Sequence, residues 1–360
     1  MFPDSSQPHR GRRRTRLVVT GGVLAAVIAA ASVYVVIRLT GPAGDTASAV
    51  SPTAAPSGTA ASPTASNTPV PSVSPSPSAA LGCSSGTNVA DGRDPFGGCW
   101  PGPNTTGVPA GVNLVKYDGP CTISRDGTVI SAKLVKCDLQ IRAANVVIEK
   151  SHIDGTVYAE ISNASFTVTD STVNASPEGI RQTTGVGQSN FTLRRTEVIG
   201  GNRGVYCHLN CTIVDSWIHG QKIKDDWHAS AVRMGERTTI THNTMVCDAP
   251  VQPDPEGSCS ATLTGYGDFT PIRNNAIRHN LFLATAYAAY CAYGGSTKGK
   301  PHSGQTSNIV FDNNVFQKGK AKGSACALYG PIGDYDPAVS GNAWTNNRFD
   351  DGTVIPSKRY

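Results

Sequence analysis

One short pattern recurs through the second half of this 360-residue chain, and it limits the possible fold more than any other feature. From residue 145 onward, the segments NVVIEKSHI, SFTVTDSTV, NFTLRRTEV, CTIVDSWI, TTITHNTM, NAIRHNLF, NIVFDNNVF and NAWTNNRF alternate apolar and polar residues. Each then places Ser, Thr or Asn before another apolar residue. Aligned, they put Ser151, Ser171, Thr196, Ser216, Asn243, Asn280, Asn314 and Asn347 in one column, at intervals of 20 to 37 residues. Period-two alternation in Val, Ile, Thr and Phe marks short strands. A unit this short cannot bury its own apolar face, so successive units must stack, and stacked strands separated by polar turns form a parallel solenoid. A β-sandwich would repeat at about 8–12 residues with two-residue Asn-Gly or Asp-Gly hairpins, which are scarce here. The expected fold is therefore all-β, a parallel β-helix over residues 83–360. At one strand spacing, about 4.8 Å, the polar column can pass hydrogen bonds from coil to coil, as side-chain ladders do in other stacked sheets.

Ahead of the repeat the composition changes twice. Residues 1–16 form a basic tail containing HRGRRRTR, and residues 17–38 carry an uncharged apolar run from Leu17 to Ile37. That run is long enough to cross about 30 Å of hydrocarbon. Residues 39–82 are nearly all Ser, Thr, Pro, Ala and Gly, a composition with too little apolar surface to offset chain entropy, so a disordered linker is expected. The basic tail places the N-terminus in the cytoplasm, which makes this a single-pass cell-membrane protein with its C-terminal domain outside. The alternative is a secreted protein cleaved near Ala47-Ser48-Ala49, although the apolar run exceeds the usual signal-peptide core of about 7–15 residues.

Most of the net charge of +5 comes from residues 1–82, where six Arg face Asp4 and Asp45. The rest of the chain is near neutral and offers no electrostatic footprint for nucleic acid. All ten cysteines lie beyond residue 82, and an even number in an exported chain favours disulfides. Neighbours in sequence suggest Cys83 with Cys99, Cys121 with Cys137, Cys207 with Cys211, Cys247 with Cys259, and Cys291 with Cys326. A metal reading of Cys207-His-Leu-Asn-Cys211 lacks a second Cys/His pair.

Through the repeat NxxIxxSxI and the turns IDG, VIGG and IHGQ, residues 105–350 resemble the pectate-lyase-like superfamily of right-handed parallel β-helix proteins. That group includes pectate lyases, polygalacturonases, alginate epimerases and phage tailspikes. The resemblance implies a right-handed coil and a polysaccharide partner, while one fold hosts many chemistries.

Outward-facing residues of stacked strands line up into grooves, so aligned polar residues are the candidates for a site. Matching PEGIRQ, NRGVYC and SAVRMG sets Arg181, Tyr206 and Arg233 in one column and Glu178, Arg203 and Ser230 in another. The two outer Arg of the first column would be roughly 10 Å apart. Arg pairs bidentately with carboxylates, and Tyr offers a stacking face and a hydroxyl. The adjoining HGQKIKDDWHASAVRMG adds Lys222, Lys224, Asp225, Asp226, Trp227 and His228. If extended, it puts Lys224, Asp226 and His228 on one face and supplies an acid, a base and a sugar-stacking ring; the competing reading is a solvated turn.

Asp225-Asp226 resembles the DD element of polygalacturonases, but the accompanying NxD, GHG and RxK elements are missing. Resemblance to pectate lyases implies Ca²⁺ held by several Asp and an Arg base, yet neither the Asp density nor the DPxxR-type element is present, so no metal ligand is assigned. The expected function is an extracytoplasmic carbohydrate-active protein, first a lyase-like enzyme on a uronate-containing or cell-envelope polysaccharide, with hydrolase or epimerase activity ranking lower. In that scheme Arg181 neutralises the substrate carboxylate, Arg233 or His228 removes a proton and Tyr206 protonates the leaving oxygen. Glu178, Arg203, Lys222, Lys224 and Trp227 bind the chain. The alternative is a non-catalytic surface module that binds glycan or cell wall. Trp100 in FGGCWPGP is expected to seal the N-terminal end of the stack, and His242, His279 and Asp312 to occupy equivalent strand ends.

Overall fold

A computed structural model describes residues 82–160, 163–253, 256–319 and 326–357. The apolar run at 17–38 and the linker as far as residue 81 lie outside the described residues. Each turn of the chain adds a short strand to each of three faces. The first face holds ten strands, from Val115–Lys116 to Arg348–Phe349. The second runs from Thr122–Ile123 to Gly330–Gly333 and the third from Val129–Ser131 to Ala343–Thr345. Strands Thr184–Arg194 and Arg203–Val214 are long enough to bend from the second face into the third. Every pairing within the three faces is parallel, and an antiparallel pair between Gln252–Pro253 and the start of Glu256–Thr264 is a local hairpin. This is the topology of a parallel β-helix rather than of a sandwich.

Alternation decides what enters the core. On the first face Ile153, Val173, Val198, Ile218, Met245, Phe282 and Phe316 stack in register and are fully buried. On the third, Ile148, Val168, Leu193, Ile213, Ile240, Ile277 and Phe311 do the same. Each such side chain contributes about 1.5–3 kcal/mol on leaving water, which is why a strand of three residues suffices once its neighbours are in place.

The corner between the third and first faces is built alike in every coil. Ala132, Lys150, Asp170, Arg195, Asp215, His242, His279, Asn313 and Asn346 all take the left-handed conformation, with φ between 45° and 54°. Each but Ala132 is followed by a fully buried Ser, Thr or Asn, the column expected from the repeat. The column is a hydrogen-bonded ladder: Ser151 N donates to Ser171 Oγ (3.0 Å), Ser216 N to Asn243 Oδ1 (2.9 Å), and Asn243 N to Asn280 Oδ1 (2.9 Å). It continues from Asn280 N to Asn314 Oδ1 (3.0 Å) and from Asn314 N to Asn347 Oδ1 (3.1 Å). The tight corner removes these backbone groups from the regular sheet, and the side chains supply the partners that buried N–H groups require. The position equivalent to His242 and His279 is Asn313; Asp312 lies one residue earlier, paired with Arg278 on the third face.

The segment before the first strand does not cap the stack. It runs along the outside of the first face from the last coil back toward the first. Asn88 Nδ2 donates to Asp350 O (3.1 Å), Asp94 Oδ2 lies 3.1 Å from His242 Nε2, and Gly107 N donates to Arg195 O (3.1 Å). Trp100 is completely buried by this strap against Leu281 and Val315, outward residues of the first face, so its role is to dock the strap and not to seal an end. Disulfides join Cys83–Cys99 within the strap, Cys121–Cys137, Cys207–Cys211, Cys247–Cys259 and Cys291–Cys326. The Cys207–Cys211 bond removes those two sulfurs as metal ligands.

Candidate functional site

The strap covers the first face over part of its length, and the second face opens to solvent in hollows lined by charged residues. Val157, Val186, Val205, Val232 and Leu263 stack inward. The residue after each therefore points outward, which sets Tyr158, Gly187, Tyr206, Arg233 and Thr264 in one column. The neighbouring outward column includes Thr184, Arg203 and Ser230.

Two hollows open along this surface. One of about 540 Å³ is lined by Asp138, Gln140, Tyr158, Glu160, Thr184 and Arg203, among others. The second, about 310 Å³, is lined by Arg203, His228, Arg233, Tyr266, Asp268 and Lys300, among others. Arg203 belongs to both and marks where they meet. Its guanidinium lies 5.7 Å from the centroid of the Tyr206 ring, with Arg233 5.6 Å from the same ring.

The two guanidinium groups differ in their charge partners. Arg233 Nη2 donates to Asp268, whose other oxygen is 3.0 Å from Lys300 Nζ. Burial pushes the Asp268 carboxyl up, but Lys300 and Arg233 outweigh it and hold the group below the usual carboxylate range. Arg203 has no carboxylate within ion-pair distance among the described residues, and the Asp268 carboxylate that pairs with Arg233 supports its charge only from farther off; its Nη1 makes a long 3.4 Å contact to Thr184 Oγ1, and its buried Nε has no partner. Burial, and then repulsion from Arg233, pull its pKa down to about 10. It stays charged at neutral pH, so it is a largely buried cation without a counter-ion, the arrangement a bound anion completes. Burial pushes the hydroxyls of Tyr158 and Tyr206 up, which keeps both as neutral hydrogen-bonding groups.

Beyond the second hollow the surface becomes aromatic. Tyr266 and Tyr293 are 4.8 Å apart, Tyr293 and Tyr290 5.4 Å, and Tyr290 and Tyr329 5.8 Å. Two of the groove rings lie against glycine. A Cβ on Gly187 would stand 2.7 Å from the Tyr158 ring, and one on Gly333 would stand 2.7 Å from the Tyr290 ring, so each ring rests against the strand of the next coil.

The structure rearranges the residues proposed from sequence. Tyr206 with Arg233, and Arg203 with Ser230, are register neighbours as aligned. Arg181 is not in that column. It sits in the turn before Thr184–Arg194, and its place beside Tyr206 is taken by Gly187. Arg181 instead makes two hydrogen bonds to Asp138, at 2.8 and 3.2 Å. Glu178 lies in the same turn, exposed, and Thr184 holds the position beside Arg203. PEGIRQ lies in the turn ahead of the strand, and the segment in register with NRGVYC is TTGVGQ at 183–188, which carries no charged residue to mark it in the sequence.

Asp225 and Asp226 form an exposed turn, as the solvated alternative had it, and are not among the residues lining the hollows. Exposed Lys224 lies 5.4 Å from the partly buried Trp227 ring, and exposed Lys222 reaches Ser176 O at 3.4 Å. His228 opens the strand His228–Arg233 and lines the second hollow. Tyr158, Asp268, Lys300 and the tyrosines from Tyr266 to Tyr329 were not singled out from the sequence. Tyr158 had a usable signal, because VY at 157–158, VG at 186–187, VY at 205–206 and VR at 232–233 align on their inward Val.

Among the described residues, no group of three or more His, Cys, Asp or Glu is placed to hold a metal ion. No protein-family model matches the chain, and no curated protein or solved structure matches it either.

Proposed function

We propose that this is an extracytoplasmic carbohydrate-active β-helix protein that binds a carboxylate-bearing polysaccharide along its second face and acts on it in the manner of a lyase. The right-handed coil and the likeness to the pectate-lyase superfamily belong to the same proposal, as does the tether to the cell membrane. The observation that carries it is Arg203, a largely buried guanidinium with no carboxylate at ion-pair distance among the described residues, at the meeting point of two hollows. A uronate carboxylate at Arg203 takes the part first given to Arg181, which Asp138 already occupies. In β-elimination the base removes the C5 proton, a C4=C5 double bond forms as the C4–O bond breaks, and an acid protonates the leaving oxygen. His228 stands on the rim as base and Tyr206, hydroxyl intact, as acid.

A second reading, binding without cleavage, is favoured by one feature: Arg233, the other candidate base, is engaged by Asp268. Incubating the protein with uronate polysaccharides separates the two. Ultraviolet absorbance of a new double bond, lost in Arg203→Ala and His228→Ala, is expected for the lyase. Binding by calorimetry that depends on Arg203, with no product at any pH, would leave the binding module.

A further inference from the structure

The rings of Tyr158 and Tyr290 share an arrangement that the anion site does not use. Each is a partly exposed outward side chain of the second face, and each packs against a glycine of the next coil at a distance no Cβ would permit. A ring that rests on glycine backbone has little freedom left, and both rings keep part of their surface exposed. Such a preorganised aromatic face suits the C–H surface of a pyranose ring, since stacking there costs little ordering entropy. Tyr158 lines the first hollow, while Tyr290 belongs to the tyrosine terrace that continues beyond the second. Their strands are five coils apart through the register Tyr158, Gly187, Tyr206, Arg233, Thr264 and the strand of Tyr290. At about 4.8 Å per coil this is about 24 Å, with Arg203 between.

Resting on the glycan reading above, we propose that Tyr158 and Tyr290 are stacking platforms at the two ends of one binding track that runs along the solenoid axis. The ligand is then a linear chain of several pyranose units, held by its carboxylate at Arg203 and by ring faces at both ends. Affinity is set by whether the chain reaches both platforms. Tyr266, Tyr293 and Tyr329 extend the terrace at the far end.

The test is a calorimetric titration of the full chain with uronate oligosaccharides of graded length and with neutral oligosaccharides of the same lengths. For the wild type, affinity rises with length until both platforms are spanned and then levels off. Tyr290→Ala and Tyr158→Ala each lower the affinity for long oligomers roughly three- to tenfold; Tyr290→Ala, remote from Arg203, leaves the shortest oligomers unchanged, while the Phe variants keep the length dependence. Tyr290→Leu, which still packs on Gly333 without offering a ring face, guards against a loss caused by unfolding, and circular dichroism checks each variant. Length dependence that survives both Ala variants overturns the platforms. Wild-type preference for neutral over acidic oligomers, still reduced by Tyr290→Ala, keeps the platforms and overturns the acidic ligand. Binding of neither series overturns both.

Discussion

The corner between the third and first faces and the outward side of the second face are built on the same coils, yet they obey opposite rules. At the corner every coil repeats one solution, a left-handed residue and then, from the second coil on, a buried Ser, Thr or Asn. Across the second face, register neighbours read Tyr158, Gly187, Tyr206, Arg233 and Thr264, with no two successive coils alike. Backbone N–H groups at the corner are satisfied by side chains of the next coil, so corner residues must be mutually compatible all along the stack. Outward side chains face no such demand, because the strands beneath them pair through backbone. Where a coil nonetheless buries a cation without a counter-ion, as at Arg203, stability alone gives no account of it.

The largest effect should follow from breaking the repeating region. Asn280 accepts from Asn243 N, and its Nδ2 donates to Ile240 O (2.8 Å), Arg278 O (2.9 Å) and Asn314 Oδ1 (3.0 Å). Asn280→Leu keeps the volume and strands several buried partners at about 1–3 kcal/mol each, so a total loss of about 3–5 kcal/mol is expected in denaturant unfolding. A loss under about 1 kcal/mol would mean that the ladder decorates the stack without holding it.

Arg203→Ala should give the opposite signature. Removal of a guanidinium that has no ion-pair partner among the described residues is expected to leave stability unchanged or raise it by up to about 1 kcal/mol, while affinity for acidic oligosaccharides falls about 10- to 100-fold. Calorimetry and thermal unfolding on the same samples would decide. If stability falls as it does for Asn280→Leu, the two regions are not distinct in the way argued.

This contrast also explains what could be read from the chain. The corner column was legible because repetition is itself a sequence signal, and the five disulfides were legible because each joins cysteines that follow one another along the chain. The groove was half legible. Tyr206–Arg233 and Arg203–Ser230 aligned because their segments lie in the paired strands themselves, whereas PEGIRQ lies in the turn ahead of Thr184, which leaves Arg181 and Glu178 out of register. Asp268 and Lys300 reach the site from loops outside the repeat, beyond any periodic pattern. Trp100 was misplaced for a different reason: nothing local in FGGCWPGP tells that its partners are Leu281 and Val315, some 180 residues or more away.

The smallest effect tests a place where the repeat has been put to a second use. His242 occupies the left-handed corner position, and its ring also receives the strap: Nδ1 is 2.8 Å from Asp215 Oδ1, Nε2 is 3.1 Å from Asp94 Oδ2, and Trp100 stacks on it at 5.5 Å. Arg194 lies on the far oxygen of Asp215 at 3.7 Å, and His279 holds the next corner against Phe96. Burial pushes the imidazole pKa down, but Asp215 and Asp94 outweigh it, so the folded value lies above the ordinary 6.5. A raised folded value means that the charged histidine stabilises the strap fully below the unfolded pKa, and that this contribution is lost as pH rises through the folded one. His242→Asn keeps a residue that tolerates the left-handed corner and removes both ion pairs. Its cost should be largest below the ordinary histidine pKa and shrink as pH rises, down to what the lost Trp100 stack contributes. Strap opening, read by Trp100 fluorescence and by hydrogen exchange of residues 88–107, should follow the same pH course. Groove affinity measured at one acidic pH should not move, because the strap lies on the first face; if it does, the two surfaces are coupled and the separation of fold from function drawn above fails.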